Sequence, residues 1–263
     1  QKGYDARTGE LLWEFNTVPQ PGEIGHETWL DDGWRDRPGN NMWVWYMSGD
    51  VETGMIYMTL GSPAPNYYGG DRPGDNLFGN SIIAIDAETG ERIWHFQTVH
   101  HDLWDFDLPV APKLMTITKD GEQIPIVIQG TKHGYIFVFD RRDGTPIWPI
   151  EEVAVPESDV PGEHASPTQP IPTLPEPYMR LSFTPDDINP YLPESDQEAL
   201  RELFANSRWG EGPFVPPSTQ GTISFPGHNG GLNWGNVAVD PDRQRLYVVS
   251  RELPLMLKLM ADR

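Results

Sequence analysis

Asp86-Ala87-Glu88-Thr89-Gly90-Glu91-Arg92-Ile93-Trp94 is the middle member of three matching phrases. The first runs Asp5-Ala6-Arg7-Thr8-Gly9-Glu10-Leu11-Leu12-Trp13, the third Asp140-Arg141-Arg142-Asp143-Gly144-Thr145-Pro146-Ile147-Trp148. Each opens on an Asp whose side chain can cap a turn. Each closes that turn on a Gly suited to positive φ, then carries a Trp on the returning segment. An internal repeat sets the architecture before single residues are weighed. This one predicts an all-β fold of stacked, hairpin-built blades.

Outward from the phrases the same grammar continues. Residues 81–85 and 92–97 read as the two arms of a hairpin around the second phrase, and residues 134–139 lead into the third. A looser hairpin is predicted over residues 42–46 and 55–59, turning at Asp50-Val51-Glu52-Thr53-Gly54. Another is predicted over 236–239 and 245–249, turning at Asp240-Pro241-Asp242. The phrases are unevenly spaced, which implies long inserted loops or a drifted phrase between blades. Residues 151–218 break the pattern. They are rich in Pro and acidic residues, show little alternation, and read as an ordered excursion over the propeller rim. One short helix is expected there, with Ser195 as N-cap, Glu198 completing a capping box, and Leu200, Leu203 and Phe204 as its apolar stripe.

Composition agrees. Among 263 residues, 26 Gly and 27 Pro favour turns and short strands over long helices. The 10 Trp demand broad buried contacts and a partner for each buried indole N–H. A formal net charge of -20 excludes nonspecific nucleic-acid binding and an anionic lipid surface as partner. The absence of Cys excludes disulfides, thiolate metal sites and a fused c-type haem. No apolar run reaches the roughly 18 residues of a membrane span. The chain opens at Gln1, inside a repeat phrase, and is read as a piece of a longer protein whose set of blades is incomplete.

The densest reactive stretch is His100-His101-Asp102-Leu103-Trp104-Asp105-Phe106-Asp107, in the loop after a repeat strand. Loops on rigid scaffolds are where sites are built. Its His and Asp residues suit either a metal site or an acid/base centre. Gly130-Thr131-Lys132-His133-Gly134 opens a strand. The long loop from Gly61-Ser62-Pro63-Ala64-Pro65 to Asn76 has the length typical of functional loops. Phe225-Pro226-Gly227-His228-Asn229-Gly230-Gly231-Leu232-Asn233-Trp234-Gly235 carries glycines that let backbone approach a ligand closely.

Taken together these segments resemble the quinoproteins, dehydrogenases that hold pyrroloquinoline quinone in an eight-bladed β-propeller. The repeated phrase resembles their tryptophan-docking motif, in which each Trp packs between neighbouring blades. Thr98-Val99-His100-His101-Asp102-Leu103-Trp104-Asp105 is similar to the catalytic-Asp segment. The run from Gly130 to Arg141 is similar to the strand that brings a cation to the quinone. Ser166-Pro167-Thr168-Gln169-Pro170, the run from Pro216 to Thr222, and Leu253-Pro254-Leu255 resemble the membrane-bound glucose dehydrogenase branch.

The resemblance implies roles. Asp105 is the catalytic carboxylate and a ligand of a divalent ion, Ca²⁺ or Mg²⁺. Lys132 hydrogen-bonds the ortho-quinone oxygens. Trp43 stacks on the quinone ring, with Trp45 as the alternative. Asn229, with His228 and Trp234 nearby, sits at the cofactor's far edge. In the alcohol branch an ion-ligating Asn stands where this chain has Ser62, and a vicinal Cys pair lies near the quinone. Both departures point to a sugar or polyol substrate. The implied acceptor is ubiquinone. The implied location is the periplasm, with inner-membrane attachment through a segment absent from this chain. The competing readings are a non-enzymatic propeller scaffold, like the outer-membrane assembly lipoproteins that share the phrase, and a quinone-free metal-dependent hydrolase. A scaffold has no use for Trp43, Asp105 and Lys132 together.

Overall fold

All three phrases fold into the same hydrogen-bonded turn in the computed structural model, which describes residues 1–37, 40, 42–43 and 46–261. In each, the Gly N–H donates to the carbonyl of the opening Asp, at 2.8 Å for Gly9 and 2.9 Å for Gly90 and Gly144. The three glycines lie at φ 76°, 75° and 78°.

Around these turns the described residues form β1 (Lys2–Tyr4), β2 (Leu11–Glu14), β3 (Met47–Asp50), β4 (Met55–Thr59), β5 (Ser81–Asp86) and β6 (Arg92–Gln97). There follow β7 (Lys113–Lys119), β8 (Glu122–Gly130), β9 (Ile136–Asp140), β10 (Ile150–Ala154), β11 (Thr168–Pro172), β12 (Thr222–Ser224), β13 (Val237–Asp240), β14 (Arg245–Val248) and β15 (Leu255–Leu257). The helix α1 (Glu194–Ala205) stands among them. β3-β4-β5-β6 is a four-stranded antiparallel meander of the kind that makes a propeller blade, and β7-β8-β9 is a second, three-stranded one. β1-β2 and β13-β14 are hairpins, while β12 pairs with the distant β15. The all-β propeller expectation holds.

The Trp residues lock neighbouring blades. Trp13 Nε1 donates to Ala87 O at 3.0 Å, and Trp94 Nε1 donates to Arg141 O at 3.1 Å. The acceptor each time is the residue after the opening Asp of the next phrase. Arg141 O also accepts the Tyr57 hydroxyl at 2.8 Å. A buried cluster built on Ile82, Trp94, Phe137 and Phe139 fills the space between the two meanders and extends under Leu103, Trp104 and Phe106. That continuity anchors the 98–107 loop to the blades.

The strand expected over 42–46 lies partly outside the described residues; the described strand begins at Met47, next to Tyr46, whose N–H donates to Trp43 O at 3.2 Å. Three local expectations need correction. The third phrase returns as a single bridge, Phe139 to Pro146, since Pro146 has no N–H to continue the ladder. The excursion contains a hairpin, β10-β11, that its prolines hid. A two-stranded ribbon tolerates Pro170 and Pro172 because it has edges where no N–H is required. The helix starts at Glu194 with Pro193 as N-cap, so Ser195 lies inside the first turn and the expected capping box does not form. Leu200 and Phe204 pack inward against Ile188 and Ile223, whereas Leu203 faces out.

Candidate active site

The loop after β6 owes its shape to Asp102, a fully buried carboxylate. It accepts the Trp104 N–H, the Phe106 N–H and the Asn80 side-chain amide, each at 2.8 Å. These bonds bracket Asp105 from both sides and leave it in the left-handed region at φ 61°. Trp104 pins the loop from below, its indole N–H donating to Val215 O at 2.9 Å. His100 and His101 serve the scaffold. The His100 ring bonds Gln97 Oε1 at 2.9 Å and Glu152 Oε1 at 3.2 Å, tying down β10. His101 Nδ1 bonds Gly74 O at 2.7 Å, and burial pushes its pKa down to about 4.

Lys132 rises from the end of β8 into the centre of this loop with only 2% of its side chain exposed. Its ammonium donates to Asp105 O at 2.8 Å, Asp105 Oδ2 at 3.1 Å and Asp107 Oδ2 at 2.6 Å. Asp107 Oδ1 takes the Ser62 backbone N–H at 2.8 Å, and Asn66 Nδ2 donates to Asp105 Oδ1. Ser62 therefore reaches the cluster through its backbone. The glycine loop 225–235 closes over Lys132. Gly231 N–H donates to Lys132 O at 2.8 Å, and a Cβ on Gly230 would meet Lys132 Cβ at 2.5 Å. The glycines here make room for the lysine itself.

Aromatic rings wall the mouth. Lys132 Nζ lies 5.6 Å from the centre of the Trp43 ring, and Trp234 meets Trp43 edge-on at 5.1 Å while remaining 63% exposed. Tyr67 and His228 face each other at 6.5 Å. Burial, then the negative charge of Asp107, raises the Asp105 pKa to about 7 against the opposing pull of Lys132. Burial and the charges of Asp105, Asp102 and Asp107 raise Tyr67. Burial and the Lys132 charge lower His228.

The structure thus brings Trp43, Asp105, Lys132 and Trp234 together. Asn229 is held within its own loop, its carbonyl accepting Asn233 Nδ2 at 2.9 Å, and no described bond joins it to these four; Trp45 lies outside the described residues. Sequence reading missed the roles of Asn66, Tyr67, Asp102 and Asp107. Asp102 and Asp107 had a signal, standing with Asp105 in the stretch read as a possible metal or acid/base centre, and Asn66 and Tyr67 lie in the loop read as functional by its length. A flat, anionic ortho-quinone fits this donor set: an indole face, an ammonium beneath it, and a buried His228 Nδ1 without a protein partner beside them. No three His, Asp or Glu side chains converge on one point among the described residues, so a divalent cation held here would need amide or carbonyl oxygens beside Asp105.

The family model described as "Glucose/ethanol/alcohol dehydrogenase, beta-propeller domain", of the PQQ type, matches residues 1–263. Quinoprotein glucose dehydrogenase of Escherichia coli (strain K12) is 37% identical over 266 residues, covering 98% of this chain and 32% of that protein. Quinate/shikimate dehydrogenase (quinone) of Acinetobacter baylyi is 36% identical, with the same two coverages. The glycerol dehydrogenase large subunit of Gluconobacter oxydans is 38% identical over 244 residues, covering 91% of this chain and 32% of that protein. The chain spans about a third of the length of these relatives. The solved quinohemoprotein alcohol dehydrogenase ADHIIG of Pseudomonas putida HK5 superposes with a TM-score of 0.66 at 23% identity, covering 99% of this chain and 34% of that one.

Proposed function

Since the chain belongs to the PQQ β-propeller family of glucose, ethanol and alcohol dehydrogenases, we propose that it forms the catalytic part of a quinoprotein dehydrogenase oxidising a sugar or polyol hydroxyl. Pyrroloquinoline quinone, when bound, is the hydride acceptor; the protein supplies position and electrostatics. Trp43 would offer a ring face to the quinone, and Lys132 would donate to its oxygens and stabilise negative charge there. Asp105 takes the proton of the substrate hydroxyl at its carboxylate. The observation that carries the reading is the Asp105–Lys132 pair, a carboxyl with a pKa of about 7 bonded to a buried ammonium under an indole. A general base is most effective with a pKa near the working pH. Tyr67 and His228 are proposed to bond substrate hydroxyls, and Trp234 meets Trp43 edge-on beside them.

The polyol and sugar assignment draws on relatives named for glucose and glycerol. The proposed electron acceptor is ubiquinone and the proposed location is the periplasm, both as the sequence resemblance implies. No helix among the described residues is long and apolar enough to cross a membrane. Asp105 is the side chain proposed as a ligand of a Ca²⁺ or Mg²⁺ ion. The test is reconstitution of the full-length protein with pyrroloquinoline quinone and Ca²⁺ or Mg²⁺. Dye reduction is then followed with an aldose panel, a polyol panel and a simple-alcohol panel. Turnover of aldoses or polyols is expected. A folded, quinone-loaded protein inactive on all three would overturn the reading.

A further inference from the structure

We propose that Asp107 is the counter-ion of Lys132 and, by holding the ammonium, keeps it from closing onto Asp105. This makes Asp107 a positioning residue, and the inference rests on the reaction proposed above. Geometry separates the two carboxylates. The Lys132 Nζ to Asp107 Oδ2 distance is 2.6 Å, against 3.1 Å to Asp105 Oδ2. Charge-assisted N–H to carboxylate bonds favour about 2.7–2.9 Å, so the first is the tight contact and the second the loose one. Asp107 is itself fixed from behind, because the Ser62 N–H holds its Oδ1 at 2.8 Å. It cannot swing away from the lysine without breaking that bond.

The charge balance leads to the same assignment. An ammonium only 2% exposed needs a compensating carboxylate. If Asp107 fills that need, Asp105 is the surplus carboxylate. Lys132 has three protons, directed at Asp105 O, Asp107 Oδ2 and Asp105 Oδ2. The longest of the three bonds is the one it can exchange for a quinone oxygen. That exchange frees Asp105 Oδ2 toward the substrate side. Without the charge on Asp107, Asp105 becomes the only partner of Lys132. The ammonium then closes onto it, tying up the base and the quinone donor together.

Asp107→Asn and Asp105→Asn in the full-length protein separate these roles. The Asn at 107 keeps an acceptor for the Ser62 N–H, so the loop retains its anchor. The readout is equilibrium binding of pyrroloquinoline quinone, followed by quenching of tryptophan fluorescence, with thermal melting recorded beside it. Asp107→Asn is expected to weaken quinone binding by at least about tenfold, because the ammonium closes onto Asp105 and is no longer free to donate to the quinone. Asp105→Asn is expected to stay within about threefold of wild type, a difference under 1 kcal/mol. Asp107→Glu, which restores the charge, should recover most of the loss. Equal losses at the two positions, the reverse order, or no recovery with Glu in a folded variant would overturn the proposal. Should Asp107→Asn not fold, a folded Asp105→Asn that loses quinone binding overturns it alone. A wild-type protein that binds no quinone would strike the functional reading as well, which tells the two failures apart.

Discussion

The repeat turns and the 98–107 loop are both built on aspartate, and they treat it in opposite ways. At the turns the carboxylate lies at the edge of the fold, half-buried at Asp5 and Asp86 and buried at Asp140, and is surrounded by donors. Asp86 Oδ1 accepts the Glu88 and Thr89 N–H groups at 2.9 and 2.8 Å. Those bonds hold Asp86 below the usual carboxylate range, and the Arg7 side chain holds Asp5 down to about 2. In the loop, burial dominates. Asp102 collects three donors and is still pushed up by desolvation, and Asp105 is pushed up to about 7. One side chain is thus a fixed acceptor that shapes backbone in one region and a group able to carry a proton in the other. The difference is set by water, because hydrogen bonds favour the charged form and burial opposes it.

The largest expected effect breaks the loop side of this contrast. Asp105→Asn should lower kcat by about 10²–10⁴-fold, the usual worth of a general base, while the fold stays intact. Steady-state kinetics of the reconstituted full-length protein, with a melting curve as control, check it. A variant within a few-fold of wild type would remove Asp105 from the proposed role. Next comes the turn side. Trp94→Ala deletes a ring packed against Tyr57 and Phe139 and the N–H bonded to Arg141 O. It should cost about 3–5 kcal/mol in denaturant unfolding. A cost below about 1 kcal/mol would mean that Trp docking does not join these blades.

How much of this was legible beforehand follows the same division. The turns were readable because their chemistry is local: an Asp, a Gly and the intervening N–H groups lie within five residues, and the sequence carries all of them. Trp43, Asp105 and Lys132 became visible through a family resemblance, and the fold does gather them. Which of three aspartates in one loop would be satisfied was not readable. That depends on Asn80 and Asn66 arriving from elsewhere in the chain and on positive φ at Asp105. The β10-β11 hairpin was hidden because prolines suppress the strand signal even where the sheet leaves them free. The rings of Trp43 and Tyr46, just before β3, meet Trp234 and so serve the site rather than the sheet.

Two glycines then isolate the contribution of docking from that of the turn. Gly9 and Gly90 have nearly the same positive φ, so Ala at either should cost about 1–2 kcal/mol in backbone strain. A Cβ on Gly90 would also meet the Trp13 ring at 2.6 Å, while one on Gly9 meets nothing within 4 Å. Gly90→Ala should therefore exceed Gly9→Ala by about 1–3 kcal/mol, the usual cost of overpacking. Equal costs in urea unfolding would show that the turn alone, and not its neighbour's indole, demands glycine.

The smallest effect uses pH to separate the two regions. His133 is fully buried among Phe106, Tyr135, Phe137 and Phe214, and neither ring nitrogen has a protein partner. Burial pushes its pKa down to about 3. A base with a depressed folded pKa binds its proton more weakly than the unfolded chain does. Its contribution is complete above about pH 6.5 and is lost progressively as pH falls toward 3. The turn aspartates, also depressed, hold their contribution down to about pH 4 and lose it only below that. Acid should therefore weaken the core beneath the site before it loosens the turns, by about 2 kcal/mol from His133 between pH 7 and 5. His133→Phe places a fourth hydrocarbon ring in an aromatic box of similar size and removes the titration. It should raise stability at pH 5 more than at pH 7. Urea unfolding at the two pH values measures it, and an unchanged pH slope in the variant would show that His133 does not set the acid sensitivity of the core.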